Sequence, residues 1–210
     1  AQRLHRPADR RRTGRPLVQQ ALEAGYTVVA LVRTPTKLRL QNDRLTVIQG
    51  DATNPHDVDK IVRGVDAVLS VLGQSKDSPH DMQTVATRNI IAAMEKYGVT
   101  HLVSLTGAGV DAPQDKPKLA NRLIKFMLKT LSGQVLRDGE NHARAIQSSK
   151  LDWVIVRGPR LNEGPYTGKY RVGWVGINTG THISRADVAD FMLKEVTDNT
   201  YLRQMPMISD

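Results

Sequence analysis

The chain has 210 residues, enough for one domain with a sizeable core, whereas two compact domains would leave each half small. It holds no cysteine, which excludes disulfides, thiolate catalysis and cysteine-ligated zinc, and no apolar run of about eighteen residues that could span a membrane. The formal net charge is +9, but residues 1–15 hold six Arg and one Asp, so most of the chain is only mildly basic.

Residues 1–12 read Ala1-Gln-Arg-Leu-His-Arg-Pro-Ala-Asp-Arg-Arg-Arg12. No apolar stretch follows to make them a secretory signal, and a cytoplasmic protein is expected. Such an arginine cluster is ordinarily a solvated arm. A phosphate-binding arm, and with it nucleic-acid binding, is the less favoured reading. A helix begins at Gly14, with Pro16 in its first turn and Leu17, Val18, Ala21 and Leu22 as its apolar residues, and closes at Gly25. Thr27 to Arg33 is a β-branched apolar run of the kind buried on both faces of a sheet. Leu45 to Gln49 predicts a short strand ending at Gly50-Asp51, and Pro55 to Val62 a short helix. Val65 to Leu72 predicts another buried strand, and Pro79 to Tyr97 a helix stopped by Gly98. His101 to Thr106 predicts the next strand, which runs into Gly107-Ala-Gly109.

Leu119 to Leu131 is apolar and cationic, and predicts a helix packed on the sheet or on a partner subunit in preference to one lying on a membrane surface. Val135 to Gln147 predicts a further helix and Asp152 to Val156 a strand. Arg157 to Gly180, with six glycines and two prolines, reads as an elaborated loop or small lobe. Ser184 caps a final helix that has Asp187 at its positive end, and Met205 to Ile208 can close the sheet. The alternation of strand and helix predicts a single doubly wound, parallel α/β domain over residues 13–210, with pocket-forming loops near 157–182.

Ligands of such sheets bind outside the carboxyl ends of the strands. Here those ends carry Arg33, Asp51-Ala52, Leu72-Gly73, Thr106-Gly107 and Pro159-Arg160-Leu161. A carboxylate after the second strand would accept from the ribose hydroxyls of NAD, whereas Arg33, with Lys37 four residues on, offers a cation to the 2′-phosphate of NADP. Arg33 could also be a plain strand-end cation, but together the strand ends favour NADP. Asp51 could accept from the adenine amino group, or serve as a turn carboxylate or as the cap of the Pro55 helix. No tyrosine has Lys four residues downstream, so the Tyr–Lys relay of many short-chain dehydrogenases is not expected. Neither histidine pairs at metal spacing nor a Gly-x-Ser-x-Gly elbow is present.

In their order and spacing Thr13-Gly14-Arg15-Pro16, Ala24-Gly25-Tyr26, Leu31-Val32-Arg33, Gly50-Asp51, Val71-Leu72-Gly73, Trp153 to Arg157, Pro159-Arg160-Leu161, Gly164-Pro165, Thr167-Gly168 and Ile183 to Val188 resemble the atypical short-chain dehydrogenases. Within that group the chain is most similar to the NAD(P)H-binding proteins related to biliverdin reductase B, the flavin reductase, and more loosely to NmrA-like proteins. The resemblance implies a single Rossmann-like domain that binds NADP(H), with NAD(H) as the alternative, and passes hydride to a flavin, quinone or tetrapyrrole without the Tyr–Lys relay. The flavin would be a substrate and not a bound cofactor. The resemblance also assigns roles by position. Thr13 and Gly14 would belong to the phosphate loop, Arg33 and Lys37 to the 2′-phosphate, Asp51 and Ala52 to the adenine, and Leu72, Gly73 and Gly107 to the line toward the nicotinamide. Pro159 and Leu161 would border the cofactor, with Thr106 and Arg160 at the substrate pocket. Relatives often carry His where Arg160 stands, which shifts the expectation toward an anionic acceptor or the FMN phosphate. A non-catalytic NADP-binding regulator of the NmrA type is the alternative function.

One segment departs from the family. Its apolar first strand and Gly-Ala-Thr-Gly-x-Thr-Gly loop would fall on residues 1–14, where the first two loop glycines are replaced by Ala8 and Arg11 and only Thr13 and Gly14 remain. The first strand and glycine loop therefore read as degraded, as a frame-shifted start would leave them. Weakened NADPH binding is the expected consequence.

Overall fold

The computed structural model describes residues 13–74 and 78–210. Residues 1–12, where the degraded strand and loop are read, lie outside them. The chain runs α1 (Gly14–Glu23), β1 (Val28–Val32), β2 (Leu45–Gln49), α2 (Pro55–Val62), β3 (Ala67–Ser70), α3 (Met82–Tyr97), β4 (His101–Gly107), α4 (Leu119–Gln147) and β5 (Asp152–Gly158). It continues through β6 (Arg160–Asn162), β7 (Arg171–Gly173), β8 (His182–Ser184), α5 (Arg185–Lys194) and β9 (Met207–Ser209).

β1 pairs with β2 in parallel, and β3, β4, β5 and β9 follow one another in parallel, with β7 added antiparallel to β9. β6 and β8 form a small parallel pair beside them. Among the described residues no strand joins β1 to β3. In a Rossmann order that position, between the second and fourth strands, belongs to the first strand.

Both faces of the sheet are covered, as the β-branched runs require. Successive residues of β4 and β5 point to opposite sides. Leu102, Trp153 and Ile155 pack with Val58 and Val62 of α2, Ile90 and Met94 of α3 and Ile146 of α4. Val103, Leu105, Val154 and Val156 pack with Leu17 of α1 and with Val188, Phe191 and Met192 of α5. Each fully buried aliphatic side chain contributes about 1.5–3 kcal/mol relative to exposure. The core thus stands on β4 and β5, with α1 and α5 on one side and α2, α3 and α4 on the other. This is the doubly wound α/β fold.

Buried polar groups join the layers. Asp81 at the start of α3 makes no side-chain cap bond. Instead buried Asp138 of α4 accepts from the backbone amides of Gln83 and Thr84, 2.9 Å each, and from the Thr84 hydroxyl at 2.6 Å. One turn further along α4, His142 contacts the hydroxyls of Thr87 (2.6 Å) and Ser104 (3.2 Å), tying α3 and β4 together.

The structure differs from the sequence expectations in several places. β3 covers only Ala67–Ser70, and α3 begins at Met82, not at Pro79. The two helices expected at 119–131 and 135–147 are one element interrupted at Ser132, whose φ of −141° and ψ of 32° are not helical. Of the two covers expected for the first half of that element, the sheet and a partner subunit, the sheet is not the one: Leu119, Leu123, Phe126 and Leu131 are all exposed. Finally, the stretch from Arg157 to Gly180, expected to be an elaborated loop or a small lobe, contains the short strands β6 and β7.

Candidate functional site

The ends of β1 and β2 are held side by side, because the Gly50 amide donates to the Val32 carbonyl at 3.1 Å. Gly50 is required there: a Cβ on it would fall 2.8 Å from both Leu31 and Asp57. This places Arg33 and Asp51 at neighbouring carboxyl ends, with Arg33 exposed. Asp51 Oδ1 accepts from the Thr53 amide (2.9 Å) and hydroxyl (2.8 Å). Those bonds hold its carboxyl below the usual range; burial works against them and nearby Arg33 works with them. Of the local readings, Asp51 is the turn carboxylate. The cap of α2 is Asn54, whose side chain accepts from His56 N at 3.0 Å. Ala52 presents its carbonyl to Asn89 of α3 at 3.0 Å, and Lys37 ends an exposed 3₁₀ turn, Pro35–Lys37, just beyond Arg33.

The N-terminus of α1 lies beside the chain leaving β3, since a Cβ on Gly14 would sit 3.5 Å from Val71 Cγ2. Helix starts of this kind present unpaired amides and a partial positive charge to an anion. Thr13 is buried at that start and makes no cap bond of its own; Arg185 of α5 reaches its hydroxyl at 3.4 Å. The segment after β3 is fixed from behind. Leu72 O accepts from Gln83 Nε2 and Gln74 Nε2 donates to Asp138 Oδ2, both at 2.7 Å. Gly73 and Gly107 are exposed, with open space where a side chain would stand, so a ligand can meet their backbone.

Beyond β5, Pro159 and Leu161 are half-buried and Arg160 is exposed, on a β6 strand registered against β8 with Arg160 opposite His182. Thr106 is more enclosed than a pocket-lining residue would be. It is buried, its hydroxyl lies where a side chain on Gly139 of α4 would come within 3.3 Å, and it has no hydrogen-bond partner.

The structure adds residues that sequence reasoning missed or under-read. Asp187, read only as a first-turn acid, accepts from the amides of Thr167 (2.8 Å) and Gly168 (2.9 Å) and from the Thr167 hydroxyl (3.0 Å), clasping that loop to α5. Arg185 ties Glu163 at 2.8 Å to the same helix start. Asp115 and Arg157 form a buried ion pair behind the rim. Sequence separations of 19–42 residues carry no signal of these contacts. Tyr170 does meet a lysine, Lys194, at 3.3 Å, and donates to Asp190 at 2.7 Å. Burial, with Asp190 beside it, pushes this phenol up, opposite to the activation an acid relay needs. A groove of about 450 Å³ between α1 and α5, lined by Pro16, Gln20, Ala186 and Asp190, is separate from the strand ends.

The strand ends thus present a helix start, two open glycines and a cation after β1, elements that a dinucleotide site uses. A family model described as NAD(P)H-binding matches residues 10–199. The chain belongs to the NAD(P)H-binding family. Members similar to it include the oxidase PynE of Aspergillus niger, 27% identical, with 83% of this chain and 85% of that protein covered. The YwnB protein of Bacillus subtilis is 26% identical, over 88% and 87%. Against the 2-alkyl-3-oxoalkanoate reductase of Shewanella oneidensis, 26% identical, 72% of this chain spans only 42% of the relative. Among solved structures, the anaerobillin reductase ChuY of Escherichia coli O157:H7 has a TM-score of 0.75 at 24% identity, covering 95% of this chain and 92% of that one. A short-chain dehydrogenase/reductase of Veillonella parvula in complex with NADP has a TM-score of 0.74 at 17% identity, covering 94% and 89%. These likenesses show the Rossmann fold of the NAD(P)H-binding family.

Proposed function

We propose that this chain is an NADPH-dependent oxidoreductase that reduces a planar acceptor, a flavin or quinone, by direct hydride transfer. The observation that carries the choice of NADPH is Arg33: an exposed guanidinium after β1, where an NAD-selective site would place a carboxylate. The residues fit the adenosine half of the cofactor. Arg33 with Lys37 would take the 2′-phosphate and the Asp51–Ala52 turn the adenine. Asp51 Oδ2 has no hydrogen bond from Thr53, whose two bonds both go to Oδ1. Thr13 and Gly14, at the α1 start, would meet the pyrophosphate, and Leu72, Gly73 and Gly107 would leave backbone room along the way to the nicotinamide.

When bound, the nicotinamide supplies a hydride. The chain's own part is orientation: the glycines admit the ring and the Gln74–Asp138 and Gln83–Leu72 bonds keep the loop after β3 still, with Pro159 and Leu161 bordering the cofactor. Thr106 would stand behind the substrate pocket and Arg160 at its mouth, where a fixed cation suits an anionic acceptor such as the FMN phosphate. A flavin takes up its proton from solvent, so no strong protein acid is required. That the relatives include an oxidase, reductases and an anaerobillin reductase supports this class of chemistry.

The test is NADPH oxidation followed at saturating FMN, riboflavin and a water-soluble quinone. Steady turnover with at least one of them is expected. Tight NADP binding with no turnover on any acceptor would replace this reading by a redox-sensing regulator.

A further inference from the structure

The first half of α4 stands out from the body of the protein. From Leu119 to Leu131 the large apolar side chains are exposed, Phe126 to 68% and Leu131 to 77%. It is held along its inner side: the Lys116 amide just before it donates to the Val175 carbonyl at 2.9 Å, Lys125 pairs with Asp111, and Leu128 and Leu136 reach the space beside Gly109. No described helix is long and apolar enough to cross a membrane.

Projected at about 100° per residue, Leu119, Leu123, Ile124, Phe126, Met127 and Leu131 fall within an arc of roughly 160°, and Arg122, Lys125 and Lys129 gather on the other side. The one hydroxyl inside the apolar arc, Thr130, is satisfied within the helix by the Phe126 carbonyl at 3.0 Å. From Lys116 to Lys129 the chain carries five cations and no acid. An apolar stripe of about 100° suffices for a helix laid on a protein surface, and this arc is broader than that. Self-pairing through this face would also bring together two cationic flanks of chains with a net charge of +9.

We infer that residues 119–131 of α4 dock this protein onto an anionic lipid surface. The apolar arc enters the headgroup boundary and Arg122 and Lys129 meet lipid phosphates at its edge. At about 1.5 Å per residue the buried segment is about 20 Å long and lies in the plane of the interface. The docking does not depend on hydride transfer in the cleft. Because α4 roots beside Gly109, two residues after Gly107, it would hold the strand-end cleft close to the bilayer.

The experiment is co-sedimentation of the full chain with phosphatidylcholine vesicles and with vesicles containing one quarter phosphatidylglycerol. Binding is expected to the anionic vesicles only, and to weaken as salt is raised. The double variant F126E/L131E replaces two exposed side chains, so circular dichroism and melting temperature should be unchanged while vesicle affinity drops at least tenfold. R122Q/K129Q should lower affinity on the order of twentyfold. Binding that survives F126E/L131E would assign it to the N-terminal arginines and overturn the inference. Equal binding to neutral vesicles or none to either would overturn it too, as would a dimer dispersed by F126E/L131E without lipid binding.

Discussion

Arg157 and Asp115 meet through two parallel bonds of 2.7 Å, Nη1 to Oδ2 and Nη2 to Oδ1, with the arginine fully buried at the end of β5. Burial opposes ionisation of Asp115, but bonds from Arg157 and from the amides of Ala112 and Val175 outweigh it and hold the carboxyl below the usual range. Arg157 also donates to the carbonyls of Met205 and Val110. The pair therefore fastens β9 and the loops around residues 110–115 and 175 to the strand behind the pocket rim. Asp115→Ala would leave a guanidinium buried without its partner, and a loss of about 3–5 kcal/mol is expected in urea unfolding. Replacing both residues by well-packed apolar side chains should cost far less. Equal costs for the two variants would mean that the pair is not the unit of stability.

Arg33→Gln should raise the dissociation constant for NADPH by about one to two orders of magnitude, the loss of one or two charge-assisted contacts of about 1.5–3 kcal/mol in all, and leave that for NADH nearly unchanged. Titration by nucleotide fluorescence separates the two. A parallel loss for both nucleotides would place the 2′-phosphate elsewhere.

Restoring Gly-Ala-Thr-Gly across residues 8–11, together with an apolar strand before it, should tighten NADPH binding, because in sequence bulky Arg10 and Arg11 replace family residues whose backbone amides approach a pyrophosphate. Dissociation constants that match between the two chains would argue that the α1 start alone suffices.

His142 is pushed down to about 4 by burial, the charge of Asp138 opposing the shift. Unfolded, the ring titrates near 6.5, so between pH 6.5 and 4 the unfolded chain holds more protons than the folded one. The neutral ring's stabilisation is complete above pH 6.5 and is lost as pH falls to 4, a change of about 3 kcal/mol. His142→Gln should flatten this part of the stability-against-pH curve. An imidazole whose own NMR titration falls near 6.5 in the folded protein would contradict the assignment.

Glu195 behaves in the opposite sense. It is buried, one carboxylate oxygen has no partner, and burial raises its pKa from 4.5 to about 7, with Asp198 adding to the shift. Between those values the folded chain holds the extra proton, so stability falls as pH rises from 4.5 toward 7. Glu195→Gln, an uncharged mimic, should raise the melting temperature at pH 8 and change it little at pH 4.5. No gain at pH 8 would show that the carboxylate is solvated.

Much of the cleft was legible because it depends on local order. β2 and α2 fall on the residues their patterns predict, and Gly98 ends α3 at a φ of 72°, as a glycine stop should. The strand-end positions of Arg33, Asp51, Gly73, Gly107 and Arg160 follow once the strands are placed. Which of its local roles Asp51 fills was not legible. One oxygen of its carboxylate accepts from Thr53, two residues on, and only the folded turn distinguishes this from a helix cap.

The apolar periodicity and the glycine and proline punctuation of this sequence determined its alternation of strands and helices, its two buried faces, and which residues stand at the strand ends. Those signals act within a few residues of one another. The tertiary structure decided the pairings between distant residues: Asp138 capping α3, Asp187 holding the Thr167 loop, and Arg157 with Asp115 behind the rim. It also decided that the first half of α4 has an uncovered face. An amphipathic pattern states that a helix has a face to bury, and only the packing of the remaining elements determines whether the protein itself supplies the cover.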